Sequence, residues 1–271
     1  MGQFQPAAIF SRAIGGGVAN ARDRLAGALA RTPIHPNALT LLGLLLALVA
    51  AVLLAFGAGQ SPFRPGPAHG YLGLAALAAL ILASICDMLD GALARVAKRS
   101  SPSGAFLDSC TDRIADAAIF IGILIYYLRH PSLPYADLFA LLAVVALAAC
   151  ELVSYAKARG ENFIPAAGIG YWQRGERLIA VCLGLLSGHT ATVLFQLDAL
   201  VPLTAARRLL FAYRQIHRQH QNLPLQDPKA PPTGLCRLLP TTYPRGSLPY
   251  DLITAAHIAL ILSLDAQSLL P

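Results

Sequence analysis

Charge is what this sequence has least of. Only 13% of its 271 residues are Asp, Glu, Lys or Arg, against about 25% in an ordinary soluble domain. From Thr32 to Phe63 no charged residue occurs, and a second uncharged stretch runs from Pro65 to Cys86. Each is long enough for the roughly 20 residues that a membrane-spanning helix needs. A soluble globular class is thereby excluded, and two spans follow directly.

Cysteine is scarce as well. Cys86, Cys110, Cys150, Cys182 and Cys236 are odd in number, scattered and mostly inside apolar stretches, so they are read as packing residues and not as disulfides. The seven histidines are dispersed, which excludes a His/Cys metal-ligand set. Residues 1–34 contain no apolar core followed by a small-residue cleavage site, so no removable leader is expected. Gly15-Gly16-Gly17 lacks the strand-then-helix setting of a phosphate loop and is expected to be a flexible joint.

Hydrophobic patterning predicts an all-α integral membrane protein with six transmembrane helices, near 37–57, 70–92, 106–128, 135–156, 172–188 and 190–212. Residues 1–34 read as an amphipathic juxtamembrane helix, 35–218 as the membrane domain and 219–271 as a Pro-rich, irregular tail. Within that tail Leu252 to Leu264 is apolar but too short to span. It is left to lie on the membrane, to pack on the domain or to be partly disordered.

The net charge of +7 raises nucleic acid as a partner, and its distribution argues against it. Arg64 and Arg129 are the basic residues in loops on one side. The opposite connections, the N-terminal arm and the C-terminal region are basic, which places both termini and the active face in the cytoplasm of a plasma-membrane protein. A basic membrane-adjacent face suits anionic phosphates and lipid head groups.

Against this background one segment stands out, DMLDGALARVAKRSSPSGAFLDSCTD from Asp87 to Asp112. Asp87 and Asp90 are three apart and Asp108 and Asp112 four apart, so each pair shares a face of its own helix. Four carboxylates in one space repel and are costly to desolvate unless cations compensate. Oxygen ligands favour hard ions such as Mg2+ or Mn2+, and two such ions about 4 Å apart can clamp a diphosphate.

The intervening letters fit the same chemistry. Gly91 and Ala94 leave room for a phosphate or nucleotide, Arg95 offers a planar cation, Ser101 begins the next helix, and Gly104 permits close passage. Taken singly, Gly91 and Ala94 are ordinary helix-packing residues, and Arg95 an ordinary positive-inside residue. Ionisable groups within or beside spans are rare and usually functional, so the aspartates weigh more.

The frame Asp87-x2-Asp90-Gly91-x2-Ala94-Arg95-x8-Gly104-x3-Asp108-x3-Asp112 resembles, letter for letter, the signature of the CDP-alcohol phosphatidyltransferases. The wider likeness covers roughly residues 30–215, including Pro36-Asn37-Ala38-Leu39-Thr40 before the first span. It implies a six-helix membrane domain, a homodimer, a CDP-diacylglycerol-type donor, metals held by Asp87, Asp90, Asp108 and Asp112, and release of CMP. It also implies that Asp112 accepts the proton of the attacking hydroxyl. Donor contacts fall to Asn37, Ala38, Leu39, Thr40, Gly91, Ala94, Arg95, Ser101 and Gly104.

For the acceptor, cationic residues gather at cytoplasmic helix ends: Lys157, Arg159, Arg174, Arg177 and Arg208. Alone they read as topology determinants. Together they resemble the phosphatidylinositol phosphate synthase branch, which implies a phosphorylated polyol, inositol phosphate, as acceptor. Glycerol 3-phosphate would use the same cations and is the alternative within the family. Membrane prenyltransferases also bind diphosphates through aspartates, but with different spacing. An ion transporter would place its carboxylates near mid-membrane, often within internal repeats. Asp116 extends the second aspartate face by one turn and is expected to be structural, with Arg113 as its partner, while Glu151 has no identified partner.

Overall fold

Side-chain caps at His35, Ser101 and Ser247 open α-helices along the chain. The computed structural model describes residues 9–59, 70–164, 168–227, 243 and 247–266, and among these every regular element is α-helical. The helices are α1 (Ile9–Leu29), α2 (Pro36–Gly57), α3 (Gly70–Val96), α4 (Pro102–Arg129), α5 (Ala136–Gly160), α6 (Arg174–Ser187), α7 (Thr190–His220) and α8 (Leu248–Ser263). The predicted spans thus correspond to α2 through α7.

Local chemistry explains the boundaries that matter for the site. At α2, His35 accepts a hydrogen bond from the Asn37 N–H at 3.2 Å, and Pro36 sits in the first turn, where its missing N–H costs nothing. At α4, the Ser101 hydroxyl accepts from the Gly104 N–H at 3.0 Å, again with a proline following. The short link from α3 to α4 turns through Lys98, at a φ of 53°.

α2, α3 and α4 pack into a tight unit, because lipid offers no hydrophobic drive and close backbone contact must supply the attraction. A Cβ on Gly43 would stand 3.2 Å from the Cβ of Cys86 and 3.3 Å from the Ala83 carbonyl, and Gly122 lies directly against the Ala51 carbonyl. Ala47, Ala83 and Ala115 fill the seam. On the other side, α5 packs on α7 around the fully buried Phe139, whose ring stacks 5.2 Å from Tyr127 and meets Phe195 edge-on at 5.6 Å.

Among the described residues three helical stretches are long and apolar enough to cross a membrane: Pro36–Gly57, Tyr71–Val96 and Ala136–Gly160. α4 and α7 have the length, at 28 and 31 residues, but carry charge. α6 has 14 residues and so reaches about 21 Å, less than the roughly 30 Å of a hydrocarbon core.

Three expectations change. Gly15-Gly16-Gly17 is no joint; it lies inside continuous α1, which packs on α3 through Leu29 and the Leu39, Leu89 and Leu93 cluster. The apolar tail segment forms α8, docked along α6. It runs parallel to α6, with Tyr250 beside Glu176 at one end and the Ile261 carbonyl beside His189 at the other. Residues 264–266 therefore reach the turn between α6 and α7, where the Thr190 hydroxyl bonds the carbonyl of Ala58 at the far end of α2. That end of the bundle is opposite the aspartates, so this part of the tail does not share the active face. Arg64, Cys236 and the prolines from 228 to 244 lie outside the described residues, and Cys86, Cys110, Cys150 and Cys182 are free thiols.

Candidate active site

The end of α3 and the start of α4 bring their carboxylates together as the helical spacing requires. Asp87, Asp108 and Asp112 each offer an oxygen within 4.8 Å of the others. Asp90 stands beside them, 5% exposed, with Oδ2 accepting from the Thr40 hydroxyl at 2.6 Å and Oδ1 accepting from the Gly91 N–H. Thr40 thus ties the first turn of α2 to the aspartate frame.

Such a cluster requires positive charge, and the chain supplies one from α6. Arg174 Nη1 lies 3.0 Å from Asp87 and 2.8 Å from Asp112, while its Nε donates to Asp116 at 3.0 Å. The other Asp116 oxygen takes Arg177 at 3.0 Å. In place of the expected Arg113, the partners of Asp116 are Arg174 and Arg177, so it braces the guanidinium that meets the aspartate cluster. The three clustered carboxylates, all oxygen donors and partly open, fit a hard divalent ion held by Asp87, Asp108 and Asp112, with Asp90 at its margin.

Next to this cluster opens a cleft of about 180 Å³ between the starts of α2 and α4 and the end of α3. Asn37, Thr40, Gly91, Ala94, Arg95, Ser101 and Gly104 line it, together with Asp90 and Asp108. A Cβ on Gly104 would meet Ser101 Oγ at 3.1 Å and Asn37 Oδ1 at 3.3 Å, so a larger residue would crowd the cleft's floor. Ala38 and Leu39, expected at the donor, are not among its walls: Leu39 is buried against Leu89 and Leu93, and Ala38 points outward. Positions 37 and 40 share a helix face and 38 and 39 do not.

The expected acceptor cations divide into two groups. Lys157 and Arg159 are exposed on the last turn of α5; the lysine stem lies against Gly168, and Arg159 stacks on Phe163 at 5.0 Å. Arg177 and Arg208 are 3% and 2% exposed. Arg177 donates to the Trp172 carbonyl and Ser154 hydroxyl as well as Asp116. Arg208 donates to the carbonyls of Val153, at 2.6 Å, and Ile169, at 2.8 and 3.0 Å. Both order the connection from α5 to α6.

The sequence profile of CDP-alcohol phosphatidyltransferases matches residues 33–212, well over half of the chain. The chain belongs to the CDP-alcohol phosphatidyltransferase family. Among relatives, it is 33% identical over 159 residues to the archaetidylinositol phosphate synthase of Aeropyrum pernix, covering 56% of this chain and 77% of that one. It is 35% identical over 152 residues to the phosphatidylinositol phosphate synthase of Streptomyces avermitilis, covering 56% of each. The phosphatidylinositol phosphate synthase of Mycobacterium tuberculosis with CDP-DAG bound superposes with a TM-score of 0.57 at 25% identity, over 71% of this chain and 93% of that one. The same enzyme in complex with manganese and citrate gives 0.58 at 25% identity, over 71% and 88%.

Within this phosphatidyltransferase, sequence reasoning missed what holds Arg174 in place. Asp116, one turn beyond Asp112, carries a signal for a shared face, but its partners lie 58 and 61 residues away. Helical spacing identifies the face and not what meets it.

Proposed function

We propose that the protein transfers a phosphatidyl group from a CDP-diacylglycerol-type lipid to a phosphorylated alcohol, inositol phosphate, releasing CMP. The observation that carries the reading is the juxtaposition of the three-carboxylate cluster, the Arg95-lined cleft and Arg174 at one end of the helical bundle. The relatives named archaetidylinositol phosphate synthase and phosphatidylinositol phosphate synthase support the choice of acceptor.

The residues divide the work. Arg95 and Ser101 bind the donor diphosphate, with Asn37 and Thr40 toward the nucleotide and Gly91, Ala94 and Gly104 giving it room. Lys157, Arg159 and Arg174 receive the acceptor phosphate, and Arg177 and Arg208 position the segment that carries Arg174. An acceptor hydroxyl attacks the lipid-side phosphorus in line with the departing CMP: the new O–P bond forms, the bond to CMP breaks, and the proton passes to Asp112. Divalent cations, Mg2+ or Mn2+ and two in number, supply charge neutralisation at the diphosphate.

We place residues 35–218 as the membrane domain, built from α2 through α7, of which α6, at 14 residues, is too short to cross the hydrocarbon core by itself. The active face and α1 lie on the cytoplasmic side of the cell membrane, from the bias of basic residues, and the protein works as a homodimer. The test is an acceptor panel with purified protein, CDP-diacylglycerol and Mg2+ or Mn2+, read as CMP release with product identification. Inositol phosphate supports turnover on this reading; activity with glycerol 3-phosphate alone overturns the acceptor, and inactivity with every acceptor overturns the transfer. In the same assay Lys157→Ala raises the KM for inositol phosphate about ten-fold and leaves kcat nearly unchanged. An unaltered KM removes Lys157 from the acceptor site.

A further inference from the structure

α6 begins at Arg174 itself, so the cation that bridges Asp87 and Asp112 sits in the first turn of a short helix. Gln173, the N-cap, makes no side-chain cap hydrogen bond. Uncapped first turns fray, because their N–H groups have no partner within the helix. Something outside α6 must therefore fix where Arg174 points.

Much of that support comes from α8, which lies beyond the stretch matched by the family profile. The Tyr250 hydroxyl donates to Glu176 Oε1 at 2.7 Å. Glu176 follows Arg174 by two residues, about 200° around the helix, so it faces away from the aspartates while Arg174 faces them. Holding both sides of one turn fixes its rotation. α8 also brackets the residues just before Arg174: the Tyr250 ring lies 5.1 Å from Tyr171, and His257 packs 5.5 Å from Tyr171 and 5.3 Å from Trp172. The Tyr171 hydroxyl donates to Thr254 at 3.0 Å. Trp172 in turn offers its carbonyl to Arg177, which shares Asp116 with Arg174.

We propose that α8 is a positioning element for the acceptor side of the active site: Tyr250, acting through Glu176, sets the rotation of the first turn of α6 and thereby the place of the Arg174 guanidinium. This rests on the reading of Arg174 as an acceptor-phosphate contact. A helix that merely filled space on α6 would contribute stability and leave acceptor kinetics alone.

The test uses the full chain, with steady-state kinetics and thermal melting of Tyr250→Phe, Glu176→Ala, their combination, and Glu176→Gln. Each disruptive single variant raises the acceptor KM about five- to ten-fold, the scale of one ordinary hydrogen bond because the contact acts on Arg174 indirectly, while donor KM stays within about two-fold. The double variant is no worse than either single one, because both remove the same contact. Glu176→Gln, which keeps an acceptor oxygen for the tyrosine, restores the acceptor KM. An unchanged acceptor KM, with or without a lower melting temperature, overturns the proposal, as do additive effects. The acceptor assayed is the phosphorylated alcohol on which the unaltered protein turns over. Failure of the inositol phosphate reading thus shows as an unaltered protein inactive with inositol phosphate. Failure of the present inference shows as an active protein whose variants match it.

Discussion

Asp112→Asn lowers kcat by about a thousand-fold, the middle of the range for a positioned general base. The substitution keeps the size of the side chain and removes its ability to take a proton from the attacking hydroxyl. It also turns one of three carboxylates whose oxygens lie within 4.8 Å of each other into a neutral amide, a weaker ligand for a hard cation. Arg174, which bridges Asp87 and Asp112, retains Asp87 and Asp116 as partners, so the helices stay in register. Steady-state CMP release by the purified variant, with folding checked by its melting temperature, measures the effect. A variant retaining more than about a tenth of the activity removes Asp112 from the proton-transfer step.

Chelation of divalent ions abolishes turnover, and Mg2+ or Mn2+ restores it. The carboxylates here carry one guanidinium between them, through Asp87 and Asp112, and Asp108 belongs to the same cluster. A diphosphate entering the adjoining cleft adds its negative charge to that of Asp90 and Asp108, more than the two lining guanidiniums, Arg95 and Arg99, balance. EDTA treatment followed by titration with each metal, read as CMP release, checks this. Full activity in chelator contradicts it.

The sequence made the helices and the aspartate frame legible because both are local. Uncharged runs placed α2 and α3, and Ser101 with Pro102 marked the start of α4 within a segment chosen for its chemistry. Asn37, Gly91, Arg95 and Gly104 meet at one cleft for the same reason: they lie on helix starts and ends that the short α3–α4 link forces together. What stayed hidden depends on contacts across long stretches of chain. Arg208 resembles an acceptor ligand in the sequence, yet its guanidinium closes on the carbonyls of Val153 and Ile169. Nothing in the spacing of a lone arginine separates a phosphate contact from a backbone brace. α8 was legible as apolar and too short to span, but its course beside α6 is set by Tyr250, His257 and Thr254 meeting residues far away in sequence. Gly15-Gly16-Gly17 misled because glycine lowers helix stability without forbidding a helix, and α1 is held by packing on α3.

On the proposed mechanism α3 and α4 hold divalent cations between Asp87, Asp108 and Asp112. Anomalous scattering from crystals of the protein grown with Mn2+ locates the ions directly. Manganese peaks bounded by these three carboxylates are expected, with Arg174 Nη1 drawn away from Asp87 and Asp112. Peaks elsewhere, or a saturated crystal in which the guanidinium still bridges the two aspartates and no ion lies among them, would contradict it.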